Sequence, residues 1–318
     1  MKIKKIFITG GAGFIGSHIC EAIYKNFQTS KIFILDKLTY AGNKIFLSKI
    51  INSKRIKFIK SDIINTKKYL KYLADADLAI NVAAESHVDN SFKSPIKFTE
   101  TNTLGAHKFL LACIEKKVRK IIHISSDEVY GEIKKGSFTE KSLVNPTNPY
   151  SASKAAAEIL INSYKYTYKK EIIMVRANNI YGIRQYPEKL ISSSIVNLLT
   201  GKKIQLHGDG QNIRFYLSAI DFAEAIVLLI KRKNSGIFNI GSNYYEKNIN
   251  IAKTICKILK KDPKKNIIFV KDRPYNDKRY SVSSKKINKL GWRPKRSLLN
   301  DLPMIIEWYK KNHKVFKK

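Results

Sequence analysis

The chain has 318 residues, of which 44% are hydrophobic and 27% are charged, and this balance excludes a disordered polypeptide. A chain of this length can bury a sizeable core, in one large domain or two smaller ones. Lys and Arg number 60 against 25 Asp and Glu, which gives a net charge of +35. The basic residues occur in short groups such as Lys4-Lys5 and Lys169-Lys170, which favours solvated surface charge over a nucleic-acid or membrane-surface patch.

The cysteines and the apolar runs bear on the cellular compartment. Cys20, Cys113 and Cys256 are far apart and have no metal-type spacing, so we interpret them as reduced core thiols. The first apolar run, in "MKIKKIFITGG", has three residues and is too short for a signal peptide. No stretch approaches the ~18 apolar residues of a membrane span. We therefore expect a cytoplasmic protein with no membrane segment and no metal site.

Short apolar runs of β type alternate with longer helical patterns over the first half of the chain. Continuous apolar strands separated by helices are typical of βαβ units and of a parallel sheet covered on both faces. The predicted strands are Lys5–Thr9, Lys31–Leu35, Ile56–Ile59, Leu78–Val82, Lys120–Ile124 and Ile172–Arg176. The predicted helices are Phe14–Asn26, Lys67–Leu73, Pro95–Lys116 and Ser151–Tyr168.

After about Asn178 the pattern is less regular, and turn-rich pieces such as "GDGQ" separate shorter elements. The predicted helices here are Glu188–Leu199, Asp221–Lys231, Ile249–Lys260 and Leu298–Lys310. The small predicted strands are Ile204–His207, Ile237–Ile240 and Ile267–Val270. The fold class predicted is therefore α/β. A doubly wound parallel sheet of the Rossmann type occupies 1–178, a smaller α+β lobe occupies 179–318, and some chain is exchanged between them.

A glycine-rich turn, "GGAGFIG", joins the first predicted strand to the first predicted helix. Gly10, Gly13 and Gly16 permit a tight bend, a close approach of the backbone to a pyrophosphate and close packing of the helix on the strand. Such a turn alone is weak evidence, since a purely structural turn has the same composition. Its position between a strand and a helix is what favours dinucleotide binding.

An acidic residue supports that interpretation and bears on the kind of dinucleotide. The second strand leads into Asp36, 20 residues beyond Gly16. A carboxylate there can accept hydrogen bonds from both ribose hydroxyls and repels a 2′-phosphate. The sequence therefore predicts NAD in preference to NADP, although Lys37 lies beside the acid.

Tyr150 and Lys154 lie four residues apart at the start of a predicted helix, in "NPYSASKAAAE". This spacing places them on one helical face, where an ammonium gives a tyrosine hydroxyl a reason to ionise and act as a base. The lysine could also hold a ribose. A Tyr-Lys pair on a surface helix is the alternative, but the preceding dinucleotide-type fold favours the catalytic interpretation.

The segment "HISSDEVYG" follows a buried strand with two hydroxyls and then two adjacent carboxylates, Asp127 and Glu128. Neighbouring carboxylates repel each other, which favours a state in which the two share one proton. Different surroundings can then give the two acids different pKa values. One acid can then donate a proton while the other accepts one. An acidic turn that caps the strand end is the structural alternative.

Taken together, these motifs resemble the extended short-chain dehydrogenase/reductase family, and more closely the dTDP-glucose 4,6-dehydratases within it. The resemblance covers nearly the whole chain. The segments that carry it, in order, are "DKLTYAGN" (36–43), "AAESHVDNS" (83–91), "ETN" (100–102), "SSDEVYG" (125–131), "PEKLI" (187–191), "GDGQNIR" (208–214) and "DRPYNDKRY" (272–280).

The resemblance implies a role for each catalytic candidate. Tyr150 would take the proton of the sugar 4-hydroxyl while carbon 4 gives hydride to NAD, and Ser126 and Lys154 would support it. Glu128 would remove the hydrogen on carbon 5, and Asp127 would protonate the departing 6-hydroxyl. Hydride then returns to carbon 6, so dTDP-glucose becomes dTDP-4-keto-6-deoxyglucose with no net redox change.

The resemblance also implies two sets of binding residues. The cofactor set comprises Gly10, Gly13, Phe14, Ile15, Gly16, Asp36, Lys37, Thr39, Asp62, Ile63, Val82, Ala83, Ala84, Ser86, Thr101, Tyr150 and Lys154. The substrate set comprises Ser86, Ser126, Asn179, Lys189, Leu190, Arg214, Asn248, Asp272 and Arg273. The cations at 189, 214 and 273 suit a diphosphate.

The chain departs from the family pattern at a few positions. Ser126 stands where the family usually has Thr, and Ile180 follows Asn179 where a second asparagine is usual. Tyr275-Asn276 replaces a usual Gly-His. These changes lie around the nucleotide and leave dTDP against UDP open.

The motifs are also compatible with functions besides dehydration. A nucleotide-sugar 4-epimerase or a UDP-glucuronate decarboxylase uses the Tyr and Lys but not the acid pair. A basic nucleic-acid-binding protein on the same fold is a third hypothesis, although we expect no nucleic-acid partner. The resemblance further implies a homodimer, formed through the helices around Ala106–Lys116 and Ser151–Tyr168 as a four-helix contact.

Overall fold

The computed structural model describes residues 3–232, 234–272 and 276–316. The strands are β1 (Lys5–Thr9), β2 (Lys31–Asp36), β3 (Ile56–Lys60), β4 (Leu78–Asn81), β5 (Lys120–Ile124), β6 (Glu171–Ala177), β7 (Asn179–Tyr181), β8 (Ile204–His207), β9 (Ile213–Ser218), β10 (Gly236–Ile240), β11 (Tyr245–Lys247) and β12 (Ile267–Val270).

The α-helices alternate with these strands in the first half. They are α1 (Phe14–Asn26), α2 (Leu70–Leu73), α3 (Val88–Lys93), α4 (Pro95–Phe98), α5 (Ala106–Glu115), α6 (Pro149–Tyr168), α7 (Leu190–Leu199), α8 (Ala219–Lys231), α9 (Asn248–Ile258), α10 (Pro263–Asn266), α11 (Lys285–Asn288) and α12 (Leu298–Asn312). Short 3₁₀ turns at Lys44–Leu47, Thr66–Lys68, Asp127–Tyr130 and His313–Phe316, and a π-helical segment at Thr99–Gly105, complete the order.

The main sheet has seven strands in the order β3-β2-β1-β4-β5-β6-β10, and every neighbouring pair is parallel. The carboxyl ends of parallel strands lie at one edge of a sheet. The strand order reverses between β1 and β4, and ligands bind in the crevice outside such a switch point. The predicted doubly wound α/β fold is confirmed.

Both faces of the main sheet are covered, which explains the continuous apolar strands. Along β1, Ile6 and Ile8 face a core shared with α1 and α8, whereas Phe7 faces the opposite core. Phe7 packs there against Tyr69 and Phe109. Successive side chains of a strand point to opposite faces, so each strand of the buried sheet supplies both cores.

A smaller lobe follows β6. It contains the sheet β11-β9-β7 and the pair β12-β8, and its core joins Ile195 of α7, Ile255 of α9 and Ile305 of α12. The predicted strand at Ile237–Ile240 instead belongs to the main sheet as β10, and α8 packs in the main core. The chain therefore returns to the main sheet after entering the smaller lobe.

The structure differs from the predicted elements at positions where tertiary contacts accompany an irregular or short local conformation. The predicted helix Pro95–Lys116 is interrupted by the π-helical segment, in which Asn102 bonds the backbone N–H and carbonyl of Glu85 at 2.8 and 2.9 Å. Helices α3, α10 and α11 and strands β7, β9 and β11 were not predicted, since each is short or lacks a clear periodicity. Within the described ranges, no helix is both long and apolar enough to cross a bilayer.

Candidate active site

A cleft of about 420 Å³ lies at the carboxyl ends of the main-sheet strands and extends beneath the smaller lobe. The structure brings the predicted site residues together on its walls. The lining includes Gly10, Gly13, Phe14, Ile15, Gly16, Asp36, Lys37, Thr39, Asp62, Ile63, Val82, Ala83, Ala84, Ser86, Thr101, Ser126, Asp127, Glu128, Tyr150, Lys154, Asn179, Lys189, Leu190, Arg214 and Asn248. Asp272 lies outside this wall, and Arg273 falls outside the described residues.

The glycine turn forms a cradle that only small residues permit. Gly10 has a φ of 67°, and a Cβ there would lie 2.6 Å from the backbone nitrogen of Ala83. A Cβ on Gly16 would lie 2.0 Å from the Gly10 carbonyl oxygen. Helix α1 begins beyond Gly13 without a side-chain cap from the described residues, which leaves its first N–H groups to a ligand. The turn therefore fits a dinucleotide pyrophosphate.

The acid after β2 is oriented by backbone donors. Asp36 accepts hydrogen bonds from the N–H groups of Ala12 at 2.9 Å and Leu38 at 2.8 Å. The adjacent Lys37 ammonium lies 2.6 Å from the Asp62 carboxylate. This ion pair offsets the cation that stands beside the acid.

Both candidate acids are buried in the 3₁₀ turn that follows β5. The Ser126 hydroxyl caps this turn by accepting from the N–H of Glu128 at 3.2 Å. Asn178 donates to Oδ2 of Asp127 at 3.0 Å, and Asn148 donates to Oε2 of Glu128 at 3.4 Å. Each acid therefore has its own amide donor, and the two carboxyl groups are held in different surroundings.

The pKa of Asp127 is raised to about 7. Burial is the main cause, because a low-dielectric site disfavours the ionised form, and the neighbouring Glu128 carboxylate adds to it. The hydrogen bond from Asn178 and the charge of Arg214 oppose the rise. A carboxyl that titrates near 7 can hold a proton and release it at neutral pH.

Helix α6 presents the tyrosine and the lysine to the same cleft. Its first turn is closed by a capping box in which Asn148 and Ser151 bond each other's backbone. Nζ of Lys154 donates to the carbonyl oxygen of Ile124 at 2.6 Å. Burial lowers the pKa of Lys154 to about 8, against the raising effect of Glu158.

Tyr150 differs from the expectation that the lysine eases its ionisation. Burial raises the pKa of its hydroxyl, and the charges of Glu128 and Asp127 raise it further. A hydrogen bond with Ser126 opposes this rise. The protein's own groups therefore favour the neutral phenol, and ionisation requires additional positive charge beside the ring.

The opposite wall of the cleft carries cations from the segment after β7 and from β9. Lys189 reaches across to the Ser86 carbonyl oxygen at 2.8 Å. Arg214 donates to Oδ1 of Asn276 at 3.0 Å, and Asn276 in turn donates to Asp272 at 2.9 Å. Asp272 is thus linked to the cleft through Asn276.

Several polar residues of the cleft were not predicted. Asn148 and Asn178 hold the two acids, and Asn276 holds Arg214. Glu188 also lines the cleft and accepts from the Tyr40 hydroxyl at 3.3 Å. Asn148 precedes a proline at a helix start, which is an N-cap signal, but its second role toward an acid leaves no trace in a single sequence.

A glycine turn at a switch point, opposite a buried Tyr-Lys helix, defines a scaffold of the short-chain dehydrogenase/reductase class. A sequence model of the family described as GDP-mannose 4,6 dehydratase matches residues 7–302. The chain belongs to this family, and the resemblance drawn from its motifs is confirmed at that level.

Relatives with named activities extend the comparison. The chain is 40% identical to a trifunctional UDP-glucose 4,6-dehydratase/UDP-4-keto-6-deoxy-D-glucose 3,5-epimerase/UDP-4-keto-L-rhamnose-reductase of Arabidopsis thaliana, over 98% of this chain and 48% of the relative. It is 39% identical to a dTDP-D-glucose 4,6-dehydratase of Dictyostelium discoideum, over 98% of this chain and 82% of the relative. The chain therefore spans about half the length of the Arabidopsis relative.

A solved structure agrees with the fold over nearly the whole chain. The dTDP-glucose 4,6-dehydratase of Streptomyces venezuelae, with NAD and TYD bound, superposes with a TM-score of 0.95 at 35% identity. The match covers 98% of this chain and 99% of that one.

Proposed function

We propose that this protein is a nucleotide-glucose 4,6-dehydratase, with dTDP-glucose as the favoured substrate and UDP-glucose as the alternative. The observation that carries the proposal is the buried pair Asp127 and Glu128, which lines the same cleft as Tyr150 and Lys154. Elimination of water needs an acid and a base at neighbouring carbons. A carboxyl with a pKa of about 7 beside a second carboxylate meets that need.

The oxidation half of the reaction uses the α6 residues. Tyr150 would remove the proton of the sugar 4-hydroxyl, with its ionisation favoured by the Ser126 hydrogen bond and by the positive charges of Lys154 and of bound NAD. NAD, when bound, accepts hydride from carbon 4, and it returns that hydride to carbon 6 after elimination. The resulting 4-ketone makes the hydrogen on carbon 5 acidic.

The elimination half uses the two acids. Glu128 takes the proton from carbon 5, and Asp127 gives its proton to the 6-hydroxyl, which leaves as water. When hydride has added to carbon 6, Glu128 gives a proton, exchangeable with solvent, back to carbon 5. Tyr150 releases the proton of the 4-hydroxyl to solvent, and Asp127 regains one from it. Asn178 donates to Asp127 and Asn148 donates to Glu128. The two carboxyl groups therefore have different hydrogen-bond partners, which allows them different roles. Net redox change is zero, so the cofactor is used catalytically.

For the cofactor, NAD is proposed rather than NADP. Asp36 would accept from the ribose hydroxyls, and the Lys37 charge is engaged by Asp62 at 2.6 Å. A 2′-phosphate would therefore lie beside the Asp36 carboxylate, and the neighbouring Lys37 cation would already be paired with Asp62. The NAD bound in the Streptomyces structure supports this choice.

For the substrate, Lys189 and Arg214 are the proposed diphosphate partners, and Arg273 remains an expectation from the sequence. The choice of base stays between thymine and uracil. The relatives support both, since the Arabidopsis protein is named for UDP-glucose and the Dictyostelium protein for dTDP-glucose.

We also propose a homodimer in the cytoplasm. Apolar side chains are exposed on the π-helical segment, α5 and α6, including Leu104, Leu111, Ile159 and Tyr166. Such a face would be covered by the same face of a second copy. The three cysteines are buried free thiols, which is consistent with a reducing compartment.

The experiment that tests the proposed reaction is a side-by-side product assay. The purified protein with NAD is given dTDP-, UDP-, GDP- or CDP-glucose, or UDP-glucuronate, and the products are analysed by mass spectrometry and NMR for a keto sugar one water lighter. A 4-epimer of unchanged mass would favour the epimerase alternative, and loss of carbon dioxide from UDP-glucuronate would favour the decarboxylase. No product from any donor would overturn the proposal.

A further inference from the structure

A buried ion pair lies one helical turn below the catalytic lysine. Tyr150, Lys154 and Glu158 recur every four residues along α6, so they share one face, and all three are buried. Nε of Arg176, on β6, lies 3.0 Å from each Glu158 carboxylate oxygen, and its Nη2 donates to the same group. The pair is 3–4% exposed, so each charge depends on the other.

The arginine also contacts the turn that carries the two acids. Its guanidinium carbon lies 4.4 Å from the ring centroid of Tyr130, which is two residues beyond Glu128. The Tyr130 hydroxyl donates to Asn239 of β10 at 2.9 Å. Arg176 therefore joins α6 on one side to the end of the acidic turn on the other.

A buried ion pair is a poor means of stabilisation, because desolvation of both charges offsets their attraction. Packing alone could join a helix to a turn with apolar side chains. The Arg176–Glu158 pair adds a fixed bidentate geometry and a negative charge one turn from Lys154. Those two properties matter to a reaction that needs a fixed relative position of the Tyr-Lys helix and the two acids.

We propose that Glu158 and Arg176 are positioning residues for the reaction: they hold the Tyr150–Lys154 face against the Asp127–Tyr130 turn and place a carboxylate one helical turn from Lys154. Neither residue lines the cleft. This inference rests on the proposed dehydratase function only for its effect on the rate, because its effect on Lys154 can be measured without substrate.

The charge environment of Lys154 gives the expected direction. Burial lowers the pKa of Lys154 to about 8, and Glu158 raises it. The other ionisable groups around it are Tyr150 on α6, the acids of the turn, and His123 on β5, whose own pKa is lowered by burial and by Lys154. With the pair removed, Lys154 loses the carboxylate that sustains its charge.

The test replaces both charges together, since a single change would leave a buried charge unpaired. Glu158→Gln/Arg176→Met keeps the side-chain volumes similar. Lysine side chains are labelled with ¹³C at Cε, and the Lys154 signal, identified by its loss in Lys154→Met, is titrated by NMR. We expect the midpoint to fall by at least about half a pH unit in the double variant. An unchanged midpoint would overturn the charge part of the proposal.

The positioning part is tested by kinetics with a conservative variant. Arg176→Lys keeps the charge but loses the bidentate fork, so the Lys154 midpoint should stay while kcat falls about tenfold with KM unchanged. The matched control is Arg296→Met/Asp301→Asn, which removes an ion pair of the smaller lobe. If kcat falls equally in this control and in Arg176→Lys, and the two variants have equal melting temperatures, the Glu158–Arg176 pair has only a structural role. A parent protein without dehydratase activity would refute the proposed function but leave the titration result intact.

Discussion

Asn178 donates a hydrogen bond to Oδ2 of Asp127 at 3.0 Å, and this contact fixes one oxygen of the acid proposed to protonate the leaving group. The other oxygen, Oδ1, lies 3.5 Å from the Ser126 hydroxyl. A donor to a carboxylate favours ionisation, yet the pKa of Asp127 is still raised to about 7, because burial and Glu128 outweigh it. The Asn178 amide therefore lowers the pKa of Asp127, but burial and Glu128 have the larger effect.

The first prediction concerns this amide. We expect the rate of water loss to fall as pH rises through about 7, because Asp127 then ionises and has no proton to give to the leaving group. Asn178→Ala removes a donor that favours the ionised carboxyl, so the alkaline limb of the kcat profile should move to higher pH. Asn148→Ala, which removes the donor to Glu128 instead, should leave that limb in place. A limb that does not move in Asn178→Ala would contradict the assignment of Asp127 as the acid.

The second prediction is a stability effect of the same carboxyl. The folded-state pKa of about 7 lies above the ordinary 3.8, so ionised Asp127 is disfavoured in the fold. The folded state therefore loses stability between about pH 4 and pH 7 as pH rises. Asp127→Asn should raise the melting temperature at pH 8 by a few degrees, on the order expected for ~1–2 kcal/mol, and should have no such effect at pH 4. Asp209→Asn, at an exposed turn, is the control and should be neutral at both pH values.

The third prediction concerns the hydroxyl at position 126. The Ser126 hydrogen bond lowers the pKa of Tyr150 against the effect of burial. Ser126→Ala should therefore shift the acid limb of the oxidation step upward and lower kcat by about 10²-fold at neutral pH. Ser126→Thr restores the hydroxyl with one more methyl group and should retain most activity. Equal activity of all three proteins would show that the hydroxyl has no part in the chemistry.

The fourth prediction tests the cofactor preference. Asp62 engages Lys37 at 2.6 Å, and Asp62→Ala should release that cation toward a 2′-phosphate. We expect the ratio of NAD to NADP affinity to fall about tenfold, as a new charge-assisted contact would cause. Asp77→Ala, which loses an ion pair with Arg119, is the control. Dissociation constants from fluorescence titration would decide, and an unchanged ratio would exclude a role for the Lys37–Asp62 pair.

The fifth prediction concerns assembly. Leu111 stands 41% exposed on α5, and Leu111→Lys would place a charge in the proposed contact between copies. We expect a dimer to monomer shift in sedimentation equilibrium. Leu143, which is 88% exposed in the loop before α6, provides the matched control through Leu143→Lys. A parent protein that sediments as a monomer would remove the homodimer proposal.

The sequence predicted the parallel sheet well, because strands such as β5, which has three isoleucines among its five residues, are buried throughout. It placed Ile237–Ile240 in the smaller lobe, whereas β10 pairs with β6. Pairing partners distant in sequence leave no local signal. The π-helical segment was missed for a related reason, since its Asn102 bonds the backbone of Glu85, 17 residues away in the sequence.

For the site, the side chains proposed to carry the chemistry could be identified as candidates in the sequence, and their hydrogen-bond partners could not. Asp127 and Glu128 are adjacent, and Tyr150 and Lys154 have a helical spacing, so each pair is visible in the sequence. Asn178 and Arg176 contact Asp127 and Tyr130, respectively, only after folding. The raised pKa of Tyr150 was also missed, because burial depends on elements from the whole chain.

The central claim is that this cleft oxidises carbon 4 and eliminates water across carbons 5 and 6. The most direct test is the reaction of dTDP-glucose and of UDP-glucose with the purified protein and NAD in D₂O. We expect a product one water lighter, with one deuterium at carbon 5, no deuterium in the carbon 6 methyl group and no net NADH. A product that retains its oxygen, or one with deuterium in the methyl group, would contradict the account.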